Sequence, residues 1–158
     1  MRKNIKVLHV IASLGNGGAE RQLIEILKYN RNHGVLLLYD ADIYKETLDK
    51  LNIRYWEMRV RNKMLIFLKI LFFRKVIESY KPDIIKSWMY NACLFSAFCK
   101  LIKLYDQPLI WNIRCSNMVS KYYSVSLKLV IYACAILSKK VETIIYNSYA
   151  GLAYHKKI

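Results

Sequence analysis

The sequence predicts an α/β fold, a parallel sheet with helices packed on both faces. Three observations carry that prediction. Short apolar runs of strand length alternate with segments of helical period along the whole chain. The runs are continuously apolar rather than alternating, as strands buried on both faces require. The first of them, Val7-Leu8 through Val10-Ile11, ends in Gly15-Asn16-Gly17-Gly18 and leads straight into a helical pattern. At 158 residues the chain makes one domain, large enough to bury a core.

The elements follow in order. After the glycine turn, Leu23, Ile24, Ile26 and Leu27 give the first helix its apolar face. His33-Gly34 ends it, and Val35–Tyr39 reads as a second strand. A short helix over Ala41–Lys50 and a strand over Ile53–Met58 come next. Arg59–Tyr80 is expected as one long helix, stopped by Lys81-Pro82. Asp83–Ser87 is the fourth strand, followed by a helix over Asn91–Leu104. Asp106-Gln107-Pro108 turns the chain into a fifth strand, Leu109–Ile113. A helix over Ser120–Ser138, a sixth strand over Val141–Tyr146 and a helix over Ser148–Lys157 complete the series. No repeat, low-complexity tract or linker interrupts it.

Composition narrows the function. Lys and Arg number 26 against 11 Asp and Glu, a net charge of +15 that favours anionic partners: nucleic acid, anionic membrane or phosphorylated substrates. No nucleic-acid motif accompanies the charge, so no nucleic-acid partner is expected. Cys93, Cys99, Cys115 and Cys134 lack C-x-x-C spacing, and His9, His33 and His155 stand far apart in sequence. No metal site is expected, and reduced thiols in cytoplasm are. The greasiest stretches, Met64–Phe73 and Leu129–Leu137, are shorter than the roughly 18–20 apolar residues of a membrane span. Arg59–Lys75 and Lys121–Lys140 mix basic and bulky apolar residues. Each is either a buried helix or one resting on anionic lipid.

A strand, a glycine turn and a helix start together make a place for an anion. Glycines allow close backbone approach, and free N–H groups at the helix N-terminus carry partial positive charge. Gly15, Asn16, Gly17 and Gly18 are therefore phosphate-binding candidates. A dinucleotide fingerprint would start at Gly15 and Gly17, with Asp40 at a suitable distance, but it meets Glu20 where a third small residue belongs. No cofactor is assigned.

The string VLHVIASLGNGGAERQL resembles the opening of the N-terminal domain of retaining glycosyltransferases of GT-B architecture, group 1 (family 4). Three further patches resemble that family in the same order: Pro82–Ala92, Trp111–Asn117 and Val141–Gly151. The resemblance implies a Rossmann-like single domain over residues 1–158, the N-terminal, acceptor-side half of a GT-B enzyme. It implies a nucleotide-sugar donor held mainly by a second domain, and a glycan or lipid-linked acceptor in cell-surface polysaccharide or glycoconjugate synthesis. That second domain is expected to be absent, since no pair of glutamates spaced E-x7-E occurs. The implied location is cytoplasmic, peripheral on the inner face of the membrane.

The resemblance also places residues. The family's histidine after the fourth strand falls on Trp88 or Asn91, neither of which can act as a general base, so no catalytic residue is assigned. Asn91 retains the ability to bond a sugar hydroxyl. Arg114, leaving the fifth strand, suits a phosphate or carboxylate, with a structural salt bridge as the alternative. Asn147 and Ser148 cap the helix that follows and are candidates for ligand contact. His155, on a basic terminus, is read as incidental.

Overall fold

The computed structural model describes residues 5–60, 66, 68–115 and 124–157. In chain order the elements are β1 (Val7–Ile11), α1 (Gly18–Tyr29), β2 (Gly34–Leu37), α2 (Lys45–Lys50), β3 (Tyr55–Glu57), α3 (Ile70–Tyr80), β4 (Ile84–Trp88), α4 (Met89–Leu101), β5 (Leu109–Ile113), α5 (Val125–Leu137), β6 (Thr143–Tyr146) and α6 (Tyr149–His155). Short 3-10 turns precede α2 and follow α5.

The six strands form one parallel sheet in the order β3-β2-β1-β4-β5-β6. Two cores, one on each face, result from the pleat. In β2, Leu36 packs with α3, α4 and α5, while Val35 and Leu37 pack with α1 and α2. Successive side chains point to opposite faces, and both faces of the central strands are covered. From β1 the chain winds outward to β3, then crosses to β4 and winds the other way. The crevice above β1 and β4 is the switch point at which such sheets take their ligands.

Several expectations are corrected. The helix expected over Arg59–Tyr80 is α3 alone. Arg59 has a positive φ of 50°, its guanidinium is turned back onto Glu57, and Met58 and Val60 are buried in a non-helical segment. The clustered charges conceal that break. Residues 61–65 and 67 of that stretch, and 120–123 of the expected Ser120–Ser138 helix, lie outside the described residues. Helix Ala41–Lys50 is split into a 3-10 turn and α2. The helix after β4 begins at Met89 rather than Asn91. Finally, β6 is an edge strand, alternating exposed and half-buried residues.

The interior chemistry is quiet. Ser87 Oγ donates to Ser96 Oγ at 2.7 Å, and Tyr105 Oη donates to the Ser96 carbonyl at 2.9 Å, so these polar groups are mutually satisfied. None of the four cysteines is in a disulfide, and burial pushes the Cys99 and Cys134 thiols up to about 12. Such thiols are protonated and unreactive at neutral pH. Among the described residues no cluster of His, Cys, Asp and Glu could hold a metal, and no helix is long and apolar enough to cross a membrane.

Candidate ligand cleft at the carboxyl edge of the sheet

The turn after β1 brings Gly17 to the N-cap of α1 in an extended conformation, φ −95° and ψ 169°. No side chain caps the helix, which leaves the backbone N–H groups of the first turn available. No glycine in the structure has a positive φ, so the turn does not depend on glycine for left-handed backbone. Its glycines serve close approach instead. A Cβ at Gly17 would stand 2.2 Å from Oε2 of Glu20, whose carboxylate folds over the turn. At Gly18 a Cβ would meet no atom within 4 Å, so open space faces the helix start. Glu20 thus occupies the position that a dinucleotide fingerprint reserves for helix–strand contact. Asn16 is exposed and accepts a hydrogen bond from Arg21 at 3.1 Å.

Arg114 leaves the end of β5 and crosses the switch point, where its Nη1 donates to the Gln22 side-chain oxygen on α1. Lys86 lies on the same face of β4, paired in register with His9 and with its ammonium 5.2 Å from the Trp88 ring. Burial first, and the nearby Arg114 charge second, hold the Lys86 pKa below its ordinary value. Among the described residues no carboxylate forms a salt bridge with either cation. The salt-bridge alternative for Arg114 is not realised there, and two half-buried positive charges stand uncompensated beside the crevice. An anion placed between them would relieve that repulsion.

Trp88 is not in the cleft. It is fully buried as the last residue of β4, and its Nε1–H donates to Nδ1 of His9 at 3.1 Å. Nε2 of His9 then lies 3.1 Å from Nδ1 of His33. Since Trp88 can only donate, His9 accepts at Nδ1 and donates from Nε2. This histidine relay is absent from any reading of the sequence, because its members are 24 and 79 positions apart. Met89, immediately after Trp88, adopts φ 61°, a left-handed conformation that costs a non-glycine residue energy and here re-aims the chain into α4 at the switch point. Asn91 sits in the first turn of α4, half-buried, and its amide makes no hydrogen bond among the described residues.

At the far end of the edge, Ser148 is the N-cap of α6 and accepts from the Gly151 N–H at 3.1 Å, as capping requires. Asn147 beside it is exposed. Gly151 lies against the Cys115 carbonyl, where a Cβ would approach to 2.9 Å. The expectation that His155 is incidental is corrected: its Nδ1 lies 2.6 Å from the Gly151 carbonyl, its Nε2 2.7 Å from Tyr90 Oη, and Tyr90, Tyr146 and Tyr154 surround the ring. It ties α6 to α4. Asn117 lies outside the described residues.

A doubly wound sheet in the order 3-2-1-4-5-6, with a glycine turn and uncompensated cations at its switch point, is the Rossmann-like half of the GT-B fold. Solved structures bear this out. Anabaena HepE in complex with UDP matches with a TM-score of 0.75 and 21% identity, over 97% of this chain and 40% of that one. UDP-N-acetylglucosamine 2-epimerase from Rickettsia bellii gives 0.63 and 18%, over 97% of this chain and 41% of the other. MurG from Acinetobacter baumannii gives 0.58 and 15%, over 92% and 42%. The chain therefore spans about two-fifths of the length of each. At these identities the likeness is one of fold. No family model and no curated protein matches the sequence.

Proposed function

We propose that this chain is the N-terminal, acceptor-side domain of a retaining GT-B glycosyltransferase. It works with a second domain that holds most of the nucleotide-sugar donor, and the acceptor is a glycan or lipid-linked saccharide of cell-surface polysaccharide or glycoconjugate synthesis. The observation that carries this reading is Arg114, which leaves β5 and reaches Gln22 on α1 across the switch point of a sheet that matches HepE, a protein solved with UDP and with UDP-glucose. Gly17 and Gly18 present the start of α1 to the diphosphate side of the cleft. Arg114 binds an acceptor phosphate or carboxylate, and Asn91 offers its unengaged amide to a sugar hydroxyl. Catalysis in such a site is positioning together with electrostatic stabilisation of the leaving diphosphate, so it does not demand a histidine where Trp88 and Asn91 stand. The proposed location is the cytoplasmic face of the membrane.

A second reading, a non-catalytic module that binds anions or a membrane surface, is favoured by the net charge of +15 and by an exposed apolar stripe on α5. One experiment separates the two. The chain is assayed alone, and joined to a GT-B donor half such as the remainder of HepE, with radiolabelled UDP- and GDP-sugars and bacterial lipid extracts. Transfer is expected only from the joined protein, falling at least tenfold on Arg114→Ala. Turnover by the chain alone would overturn the assignment of the donor to a second domain. No transfer from any folded joined form would favour the binding module.

A further inference from the structure

On the face of the sheet that carries α1, the cover ends between β4 and β6. Trp88 of β4, Asn112 of β5 and Ile145 of β6 stand side by side in register. Trp88 is buried in the α1 core, Ile145 is 40% exposed, and Asn112 lies at the boundary. Side chains paired in register point to one face, so that of Asn112 emerges beside α1, one residue from the end of β5.

Among the described residues four polar side chains are buried: His9, Ser87, Ser96 and Asn112. The first three are hydrogen-bonded. Asn112, 3% exposed, has an amide that makes no hydrogen bond among the described residues. Nor is that amide closed off. Trp111 Nε1 is the one side-chain polar atom there that is both sealed from solvent and unpaired, so the Asn112 oxygen and nitrogen remain within reach of a ligand. A nearly buried amide without partners is unfavourable, and a ligand group that both donates and accepts removes the penalty.

The surroundings are cationic. Lys86, two residues before Trp88 on the same face of β4, holds its ammonium 5.2 Å from the Trp88 ring. Arg114, two residues after Asn112, turns toward Gln22 on α1. No Asp or Glu occurs from Ile84 to Tyr105 or from Gln107 to Val141, so β4, α4, β5 and α5 bring no carboxylate here.

We propose that Asn112, Lys86 and Arg114 form a subsite for a sugar that carries an anionic group, a uronic acid or a sugar phosphate. The amide of Asn112 donates to and accepts from ring hydroxyls, while the carboxylate or phosphate lies on Arg114 and Lys86. This deepens the acceptor reading above and rests on it for the presence of a sugar in the cleft. It adds the class of sugar, together with Asn112 and Lys86 as residues that hold it.

The probes are glucuronate, glucose 1-phosphate, glucose and inorganic phosphate, added to the ¹⁵N-labelled chain. Glucuronate or glucose 1-phosphate is expected to move the side-chain amide resonances of Asn112, and the stronger response assigns carboxylate or phosphate. Glucose and inorganic phosphate each offer only part of the recognised group and are expected to bind at least about tenfold more weakly. Asn112→Leu, close in shape, is expected to weaken binding about fivefold, the loss of one neutral hydrogen bond. Lys86→Met, at a half-buried position, is expected to weaken it about tenfold and to flatten its salt dependence. Both variants are followed through the backbone resonances of Ile113 and Arg114, with circular dichroism to confirm the fold. Unmoved Asn112 resonances up to the solubility limit of both anionic sugars would overturn the proposal. So would equal affinity for inorganic phosphate, which would make the site a general anion trap, or unchanged affinity in either folded variant. The readout is binding to the chain by itself, so a failure here is separate from a failure of sugar transfer in the joined protein.

Discussion

Trp88 on β4 donates its indole N–H to His9 on β1 at 3.1 Å, inside the sheet and beneath the crevice. That bond fixes which nitrogen of His9 carries a proton, and through it the role of His33. It joins the two strands that flank the switch point by a side-chain bond as well as by the β1–β4 ladder.

Trp88→Phe is expected to destabilise the chain by about 2–4 kcal/mol, from an unsatisfied buried acceptor and from lost volume. Urea unfolding measures it. His9→Phe removes the other partner, and a double-mutant cycle should show strong non-additivity. Additive losses would mean that the bond contributes nothing of its own.

Acid should act on the same relay. Burial, followed by the charges of His33 and Lys86, holds the His9 pKa well below 6.5, and burial and Lys86 hold His33 below it. Both folded-state values are depressed, so the unfolded chain takes up protons first as pH falls. The stability they contribute is complete above about pH 6.5 and is lost on going lower, by up to about 1.4 kcal/mol per pH unit for His9. His33 is half-solvated and contributes a smaller slope. Unfolding midpoints at pH 7.5, 6.5 and 5.5 test the sign, and His9→Phe should flatten the profile.

The glycines should separate by environment. Gly18→Ala meets open space and a negative φ, so it should stabilise by about 0.4–1 kcal/mol. Gly17→Ala displaces only the mobile end of Glu20 and should be nearly neutral. Gly34→Ala drives a Cβ to 3.0 Å from the rings of both Trp56 and Tyr80, which pack edge to face, and should cost about 1–3 kcal/mol. Melting temperatures rank the three. In a joined two-domain protein, a fall in kcat/KM for Gly18→Ala despite its higher stability would place a ligand at the start of α1.

Salt-sensitive flotation with anionic liposomes is expected. Val125 and Leu129 on α5 are 73% and 65% exposed, Leu68 just before α3 and Leu71 within it are 75% and 69% exposed, and the exposed Lys75 and Lys128 stand near them in sequence. Each basic residue near an anionic surface is worth about 1 kcal/mol, screened by salt. Equal binding to neutral vesicles, or none, would remove the membrane from the proposed function.

The sequence alone determined the alternation of strands and helices, the parallel sheet and the place of the glycine turn, because these depend on local periodicity and on a few residues with restricted backbones. Strand β5 appears at Leu109–Ile113 as read, bounded by Pro108 and Arg114. The Ser148 cap is likewise a local signal and is found in place. What tertiary structure decided is everything that joins distant segments. Trp88 and Asn91, three positions apart, received opposite fates: the strand register turned the first into the core against His9, and the helix carried the second to the edge. The left-handed Met89 and the repulsive approach of Lys86 to Arg114 arise only when β1, β4 and β5 lie side by side. His155 shows the same principle, since its partner Tyr90 is 65 residues away. Local propensity sets the elements, whereas burial and hydrogen-bond pairing across the sheet set which side chains reach the cleft.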